Sequence, residues 1–153
     1  MSDAGVVRLL LFRVGPLVCA VEAERVREIL PRLQTTRIPG APSMVAGVVN
    51  VRGTLVTIVE GWRALRQPPP DPAADAAGGS GTTVLLELDG GKKLLGFTVD
   101  EVVDLLSVGG EALEGRQALP GIDPTLVRAV GRRAGQLFVV LDTDALLSPI
   151  LSP

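Results

Sequence analysis

The chain has 153 residues, 46% of them hydrophobic, and a formal net charge of -2; that length suits one compact unit or two small, mutually dependent subdomains. Its basic residues are scattered, including the local groups Arg13, Arg25 and Arg27, and Arg132 and Arg133, which read as solvated faces and exclude a dedicated nucleic-acid surface. The one cysteine, Cys19 in LVCAV, excludes an internal disulfide and reads as a small buried apolar residue.

Val6 to Val14 and Leu17 to Val21 read as strands across the Gly15-Pro16 turn. Ala23 to Leu30 changes period, with Val26, Ile29 and Leu30 on one side, and predicts a short helix stopped by Pro31. IPGAP, Ile38 to Pro42, suits neither a helix interior nor a central strand. Val45 to Val51 and Leu55 to Val59 predict strands joined at Arg52-Gly53-Thr54, where Gly53 supplies a positive φ at low cost. A turn of helix around Trp62 to Leu65 precedes a flexible loop, residues 67–81, stiffened by proline and loosened by glycine.

Thr82 to Leu88 and Leu94 to Val99 predict a hairpin around Asp89-Gly90-Gly91. Val102 to Val108 fits strand or helix equally, and Gly109 to Pro120 reads as irregular or briefly helical. Leu126 to Val130 and Gln136 to Leu141 form another hairpin with Gly135 in its turn, followed by a short helix, Asp142 to Leu147, capped by Asp142. The four aromatic residues, Phe12, Trp62, Phe97 and Phe138, leave the core to Val, Leu, Ile and Ala.

The second part of the chain repeats the first. VREIL at Val26 matches VVDLL at Val102, 76 positions on. IPG at Ile38 matches LPG at Leu119, and RGTLVTIVE at Arg52 matches AGQLFVVLD at Ala134. The reading is one domain over residues 1–153: a first subdomain at about 15–66, a second at about 82–142, and terminal segments completing their packing.

Chemistry is harder to place. The chain has no histidine and no tyrosine, so the usual near-neutral proton carrier and common metal ligand are missing. Lys92 and Lys93 lie beside a predicted turn, where solvent keeps an ammonium ordinary. Asp100, Glu101 and Asp104 read as solvated or satisfied charges, and GVVNVRG and DGGKK lack phosphate-loop or dinucleotide spacing. The expectation is a protein-binding module with no catalysis, metal or cofactor. Arg52 reads as a surface residue, a structural ion pair or a partner contact, since a guanidinium at a turn can grip a carboxylate in fork geometry.

VREIL, GVVNVRG at Gly47 to Gly53, LGFTVDEVVDLL at Leu95 to Leu106 and RAGQLFVVLDTDALL at Arg133 to Leu147, taken in order, resemble the CheW family of bacterial chemotaxis coupling proteins over roughly Val6 to Leu147. The resemblance implies a mainly β fold of two packed SH3-like five-stranded barrels with short helices. It implies an adaptor that joins a CheA-like histidine kinase, through that kinase's regulatory domain, to the cytoplasmic tips of chemoreceptors. Val26 and Glu28 fall at its receptor-contact positions, Gly47, Arg52 and Gly53 in its GVxNxRG segment, and Gly96 and Leu105 at positions flanking the inter-subdomain groove. Thr57, Glu60 and Gly61 depart from the family's proline and aspartate after NLRG, Val51 replaces its leucine, and Val21 stands where an isoleucine-proline pair is common.

MSDAGVVRLLLFRV lacks a basic leader with a long apolar run and cleavage site, and no charge-free segment approaches about 18 apolar residues. The expected place is therefore the cytoplasm, without membrane insertion, next to membrane-bound receptor arrays. Two other readings stand beside it. One is an adaptor in a different chemosensory pathway controlling motility or development. The other is a small-ligand sensor or enzyme on paired barrels, which a deep pocket of converging Asp, Glu and Arg would favour.

Overall fold

The computed structural model describes residues 5–69, 81–88, 90–115 and 117–151. Strands β1 (Val6–Val14), β2 (Leu17–Glu22), β3 (Val26–Pro31), β4 (Val45–Val51), β5 (Thr54–Glu60) and helix α1 (Gly61–Ala64) come first. Then follow β6 (Thr82–Leu88), β7 (Lys93–Val99), β8 (Glu101–Gly109), β9 (Glu114–Gly115), β10 (Val127–Arg133), β11 (Gln136–Leu141) and α2 (Thr143–Leu151).

They form two sheets, ordered β8-β1-β2-β11-β10-β9 and β3-β6-β7-β5-β4. Each curls into an SH3-like barrel. In the second sheet the chain beyond β3 bends back so that Thr36 bridges Val48 on β4, and in the first β9 closes onto β10.

Ala23 to Leu30 is not a helix. Ala23–Arg25 form a single 3-10 turn and β3 follows, its side chains alternating between half-buried and exposed. The apolar spacing that suggests a helix arises because Ile29, on the exposed side of β3, is apolar beside the half-buried Val26 and Leu30; Arg27 is the extra residue of a bulge between Val26 and Glu28 in the pairing with β6. The ambiguous Val102 to Val108 is strand β8, with the corresponding irregularity in its pairing with β1. Most of the predicted 67–81 loop lies outside the described residues.

The division into 15–66 and 82–142 is not the division the sheets make. The β1-β2 hairpin joins β8, β10 and β11, whereas the β6-β7 hairpin joins β3, β4 and β5. The short links explain this exchange: three residues carry β2 into β3, and Asp100 alone separates β7 from β8, so the chain passes between barrels there. The second sheet is thus one continuous stretch, β3 to β7, inserted between the two parts of the first.

The repeat itself is real and holds down to single registers. Val45 pairs with Val59 and Gly47 with Ile58 across a bulge; 82 positions later, Val127 pairs with Leu141 and Ala129 with Val140 across the same irregularity. The hairpin turns match too. Arg52 and Gly53 have φ of 49° and 88°, Ala134 and Gly135 have 51° and 81°, the signature of a two-residue type I′ turn.

The largest apolar cluster lies between the barrels. Leu10, Phe12, Cys19 and Val21 of the first meet Val84, Leu86, Leu95 and Phe97 of the second, sealed by Leu65 and Leu147. The Phe12 and Phe97 rings pack with centroids 5.9 Å apart, within the range for tilted aromatic pairs. The barrel interiors are smaller and unequal. Leu9, Leu11, Val18, Ala20, Phe138 and Val140 fill one, but among the described residues only Val56, Ile58 and Leu85 are fully buried apolar residues in the other.

Candidate protein-binding site

The β4-β5 turn and strand β3 build the most distinctive polar feature on the second barrel. The Asn50 side-chain oxygen accepts the Gly53 N–H at 2.7 Å and ties the turn down. Arg52 is thereby projected outward and donates from its Nη2 to Glu28 Oε1. Its side chain remains 66% exposed and that of Glu28 31%, so both charges stay open to a partner. The first barrel carries a counterpart. Asp104, 76 positions after Glu28, accepts from Arg133 Nε at 2.7 Å. That bond first, and the Leu105 N–H second, hold its carboxyl below the ordinary carboxylate range.

Glu28, Gly96 and Gly47 lie on one cross-strand row: Glu28 is paired with Leu85, Leu85 with Gly96, Gly96 with Ile58, and Ile58 with Gly47. Both glycines on that row are there for clearance. A Cβ on Gly47 would lie 2.3 Å from the Thr36 carbonyl oxygen, and one on Gly96 2.5 Å from Ile58 Cδ1. Gly96 is buried inside the second barrel and acts on the surface only through the packing beneath it. Val26, at the start of β3, is half-buried and packs against the inter-barrel core.

Leu105 stands apart from these six residues, on β8 of the other sheet, 54% exposed. The repeat relates it to Ile29, 45% exposed on β3. Sequence reasoning passed over Ile29, Arg133 and Asp104 as site residues. The alignment of VREIL with VVDLL held the signal for the first and last, since it superimposes Glu28-Ile29 on Asp104-Leu105.

A cavity of about 320 Å³ opens at one end of the second barrel, lined by Arg13, Arg32, Glu60, Trp62 and Asp100 among others. Its charges are satisfied within the chain. Arg13 donates to Asp100 at 3.1 Å, Glu60 accepts from Trp62 and Arg63, and Arg32 is partnered as well. Among the described residues no group of three or more His, Cys, Asp or Glu is placed to hold a metal, and no helix is long and apolar enough to cross a membrane.

Paired, self-similar barrels with filled interiors and ion pairs displayed at exposed strands and turns define a protein-interaction module. Its relatives are specific. The CheW-like domain model matches residues 8–150, and the chain belongs to that family. A probable chemotaxis protein CheW from Rhizobium etli is 32% identical, over 92% of this chain and 86% of its own length. The chemotaxis protein CheW of Klebsiella aerogenes is 29% identical over 91% of this chain and 80% of its own. In fold, the crystal structure of scaffolding protein TtCheW from Thermoanaerobacter tengcongensis aligns with a TM-score of 0.77 at 16% identity, covering 89% of this chain and 88% of that one.

Proposed function

We propose that this protein is a non-catalytic chemotaxis-type adaptor that couples chemoreceptors to a CheA-like histidine kinase. Membership of the CheW-like family across residues 8–150 carries the reading. The exposed Glu28–Arg52 pair on the family's GVxNxRG turn supplies a surface suited to directional docking. One face holds the kinase regulatory domain and another the receptor's cytoplasmic tip, in the cytoplasm beneath the receptor array. Val26, Glu28 and Arg52 contact a partner directly. Gly47, Gly53 and Gly96 shape the surface from the backbone, and Leu105 is a contact on the other barrel. Coupling follows if binding free energies differ between the kinase-on and kinase-off arrangements.

The test is a titration of the purified protein with the regulatory domain of each chemotaxis-type kinase from the same organism, and with a chemoreceptor cytoplasmic hairpin. Saturable binding to one kinase domain and to the hairpin is expected, with selective loss in Arg52→Glu or Val26→Asp. Absence of binding to every such kinase domain would overturn the reading.

A further inference from the structure

The repeat that relates the two barrels also shows where they differ. Leu30 pairs with Thr83 and, 76 positions on, Leu106 pairs with Leu9, so Thr83 stands where the first barrel has Leu9. Thr98, paired with Thr83, stands where that barrel has Glu22, paired with Leu9. The 82-residue offset between the β4-β5 and β10-β11 hairpins likewise sets Ala46 against Arg128. In the first barrel Arg128 donates to Glu22 at 2.8 Å, so an ion pair spans these positions. In the second, Ala46 and Thr98 are too short to meet, and both line its cavity of about 320 Å³.

This mouth has a polar floor. Thr98 Oγ1 accepts the Gly61 N–H at 3.2 Å, which leaves its own O–H to donate. Cross-strand partners project to one face of a sheet, so Thr83 lies beside it; Thr83 is fully buried and its Oγ1 has no partner among the described residues. An unpartnered buried hydroxyl is a standing cost that Leu9 does not carry at the equivalent position. The walls are apolar, from Leu33, Ala46, Ile58 and Val99. Small-molecule sites favour barrel mouths and run from about 300 to 1,000 Å³, so this one suits a compact ligand.

The rim charges already satisfy each other. Arg13 donates to Asp100 and Glu101 at 3.1 and 3.0 Å, Glu60 accepts from Trp62 and Arg63, and Arg32 is partnered. A charged ligand must displace one of these pairs or enter without a counter-charge, with its desolvation uncompensated; an uncharged one leaves them standing. We infer that the mouth of the second barrel binds a small uncharged amphiphile. Its hydrocarbon body rests on Leu33, Ala46, Ile58 and Val99, and its one hydroxyl or carbonyl oxygen accepts from Thr98 Oγ1. An alcohol, phenol or ketone is the class. The assignment goes beyond the adaptor reading and does not depend on it.

NMR titrations test it with four probes that share one ring: benzyl alcohol, toluene, benzylammonium and benzoate. Expected is saturable millimolar binding of benzyl alcohol, with shifts centred on Ala46, Ile58, Thr82 and Thr98. Toluene binds about threefold or more weaker, the scale of one hydrogen bond, and the two ions do not saturate. Thr98→Val lowers the alcohol to the affinity of toluene, and Thr98→Ser restores the difference. Ala46→Leu fills the mouth and abolishes binding of both neutral probes while spectral dispersion is retained.

Absence of saturable shifts at the mouth overturns the assignment, as does an ion that binds as tightly as the alcohol. So does an alcohol preference that survives Thr98→Val, or binding that survives Ala46→Leu. The kinase-domain and hairpin titrations use the same protein without any probe. Failure here therefore leaves the adaptor reading standing, and failure there leaves this site.

Discussion

Arg52 is held in a conformation that favours glycine, and replacing it separates its structural role from its binding role. Its φ of 49° places an L-residue in the left-handed region, at a cost of about 1–2 kcal/mol. Arg52→Gly removes that strain but gives the unfolded chain extra freedom worth about 0.5–1 kcal/mol. It also deletes an ion pair with side chains 66% and 31% exposed, which solvent screening limits to about 0–1 kcal/mol. These effects nearly cancel, so urea unfolding followed by Trp62 fluorescence should place Arg52→Gly within about 1 kcal/mol of the wild type. Ala134→Gly is the internal control, because Ala134 has φ of 51° in the matching turn with no ionisable side chain to lose. It should gain up to about 1 kcal/mol by the same turn argument. Titration against the kinase regulatory domain should show Arg52→Gly weakened about tenfold or more, the scale of an interface hot spot, and Ala134→Gly unchanged. A stability loss above about 2 kcal/mol would mean that Arg52 holds the hairpin together and would refute the reasoning, as would binding within about twofold of wild type.

Three other expectations follow from the interior. Thr83 is fully buried with no partner for its Oγ1 among the described residues; Thr83→Val should raise stability by about 1 kcal/mol, read as a later denaturant midpoint. Gly47→Ala should lower it by about 2 kcal/mol or more through overpacking against the Thr36 carbonyl, with faster amide exchange at Thr36 and Val48, whose N–H groups bond each other's carbonyls at 2.8 and 2.9 Å. Burial pushes the Cys19 thiol up to about 12 from 9.0. The unfolded thiol therefore ionises first, so this contribution to stability is intact below pH 9.0 and falls as pH rises towards 12. Thermal melts across that window should show the decline weakened in Cys19→Ala, and a thiol reagent at neutral pH should label only the unfolded protein.

Most strands were legible because β-branched runs broken by Gly-containing turns specify hairpins locally. The type I′ turns were written in RG and AG, where the second residue is free to take positive φ. Strand β3 was not legible, because Ile29 on its exposed side is apolar and, with the half-buried Val26 and Leu30, mimics one helical face. At the site, Arg52 was visible at a turn and Glu28 within the segment read as a helix, but their contact depends on which strand crosses the sheet opposite which.

The repeat was readable, yet it could not reveal which hairpin completes which barrel. Both barrels use the same registers, so the β1-β2 and β6-β7 hairpins satisfy equivalent edges, and only the short β2-β3 and β7-β8 links decide the exchange. One consequence can be tested by excision. Residues 26–99 contain all five strands of the second barrel in one stretch, so topology alone would let that fragment fold. Packing argues the opposite. Val59, Val84, Leu86, Leu88, Leu95, Phe97 and Val99 face the inter-barrel core, and baring them forfeits on the order of 10–20 kcal/mol of apolar burial, more than the roughly 5–15 kcal/mol by which domains are usually stable. Among the described residues, the barrel interior left behind has just Val56, Ile58 and Leu85 fully buried. Fragment 26–99 should therefore give an NMR spectrum without dispersion, and should gain structure only when the remaining strands are supplied in trans. A dispersed spectrum from the isolated fragment would show that the barrel interior, and not the interface, holds this half of the molecule.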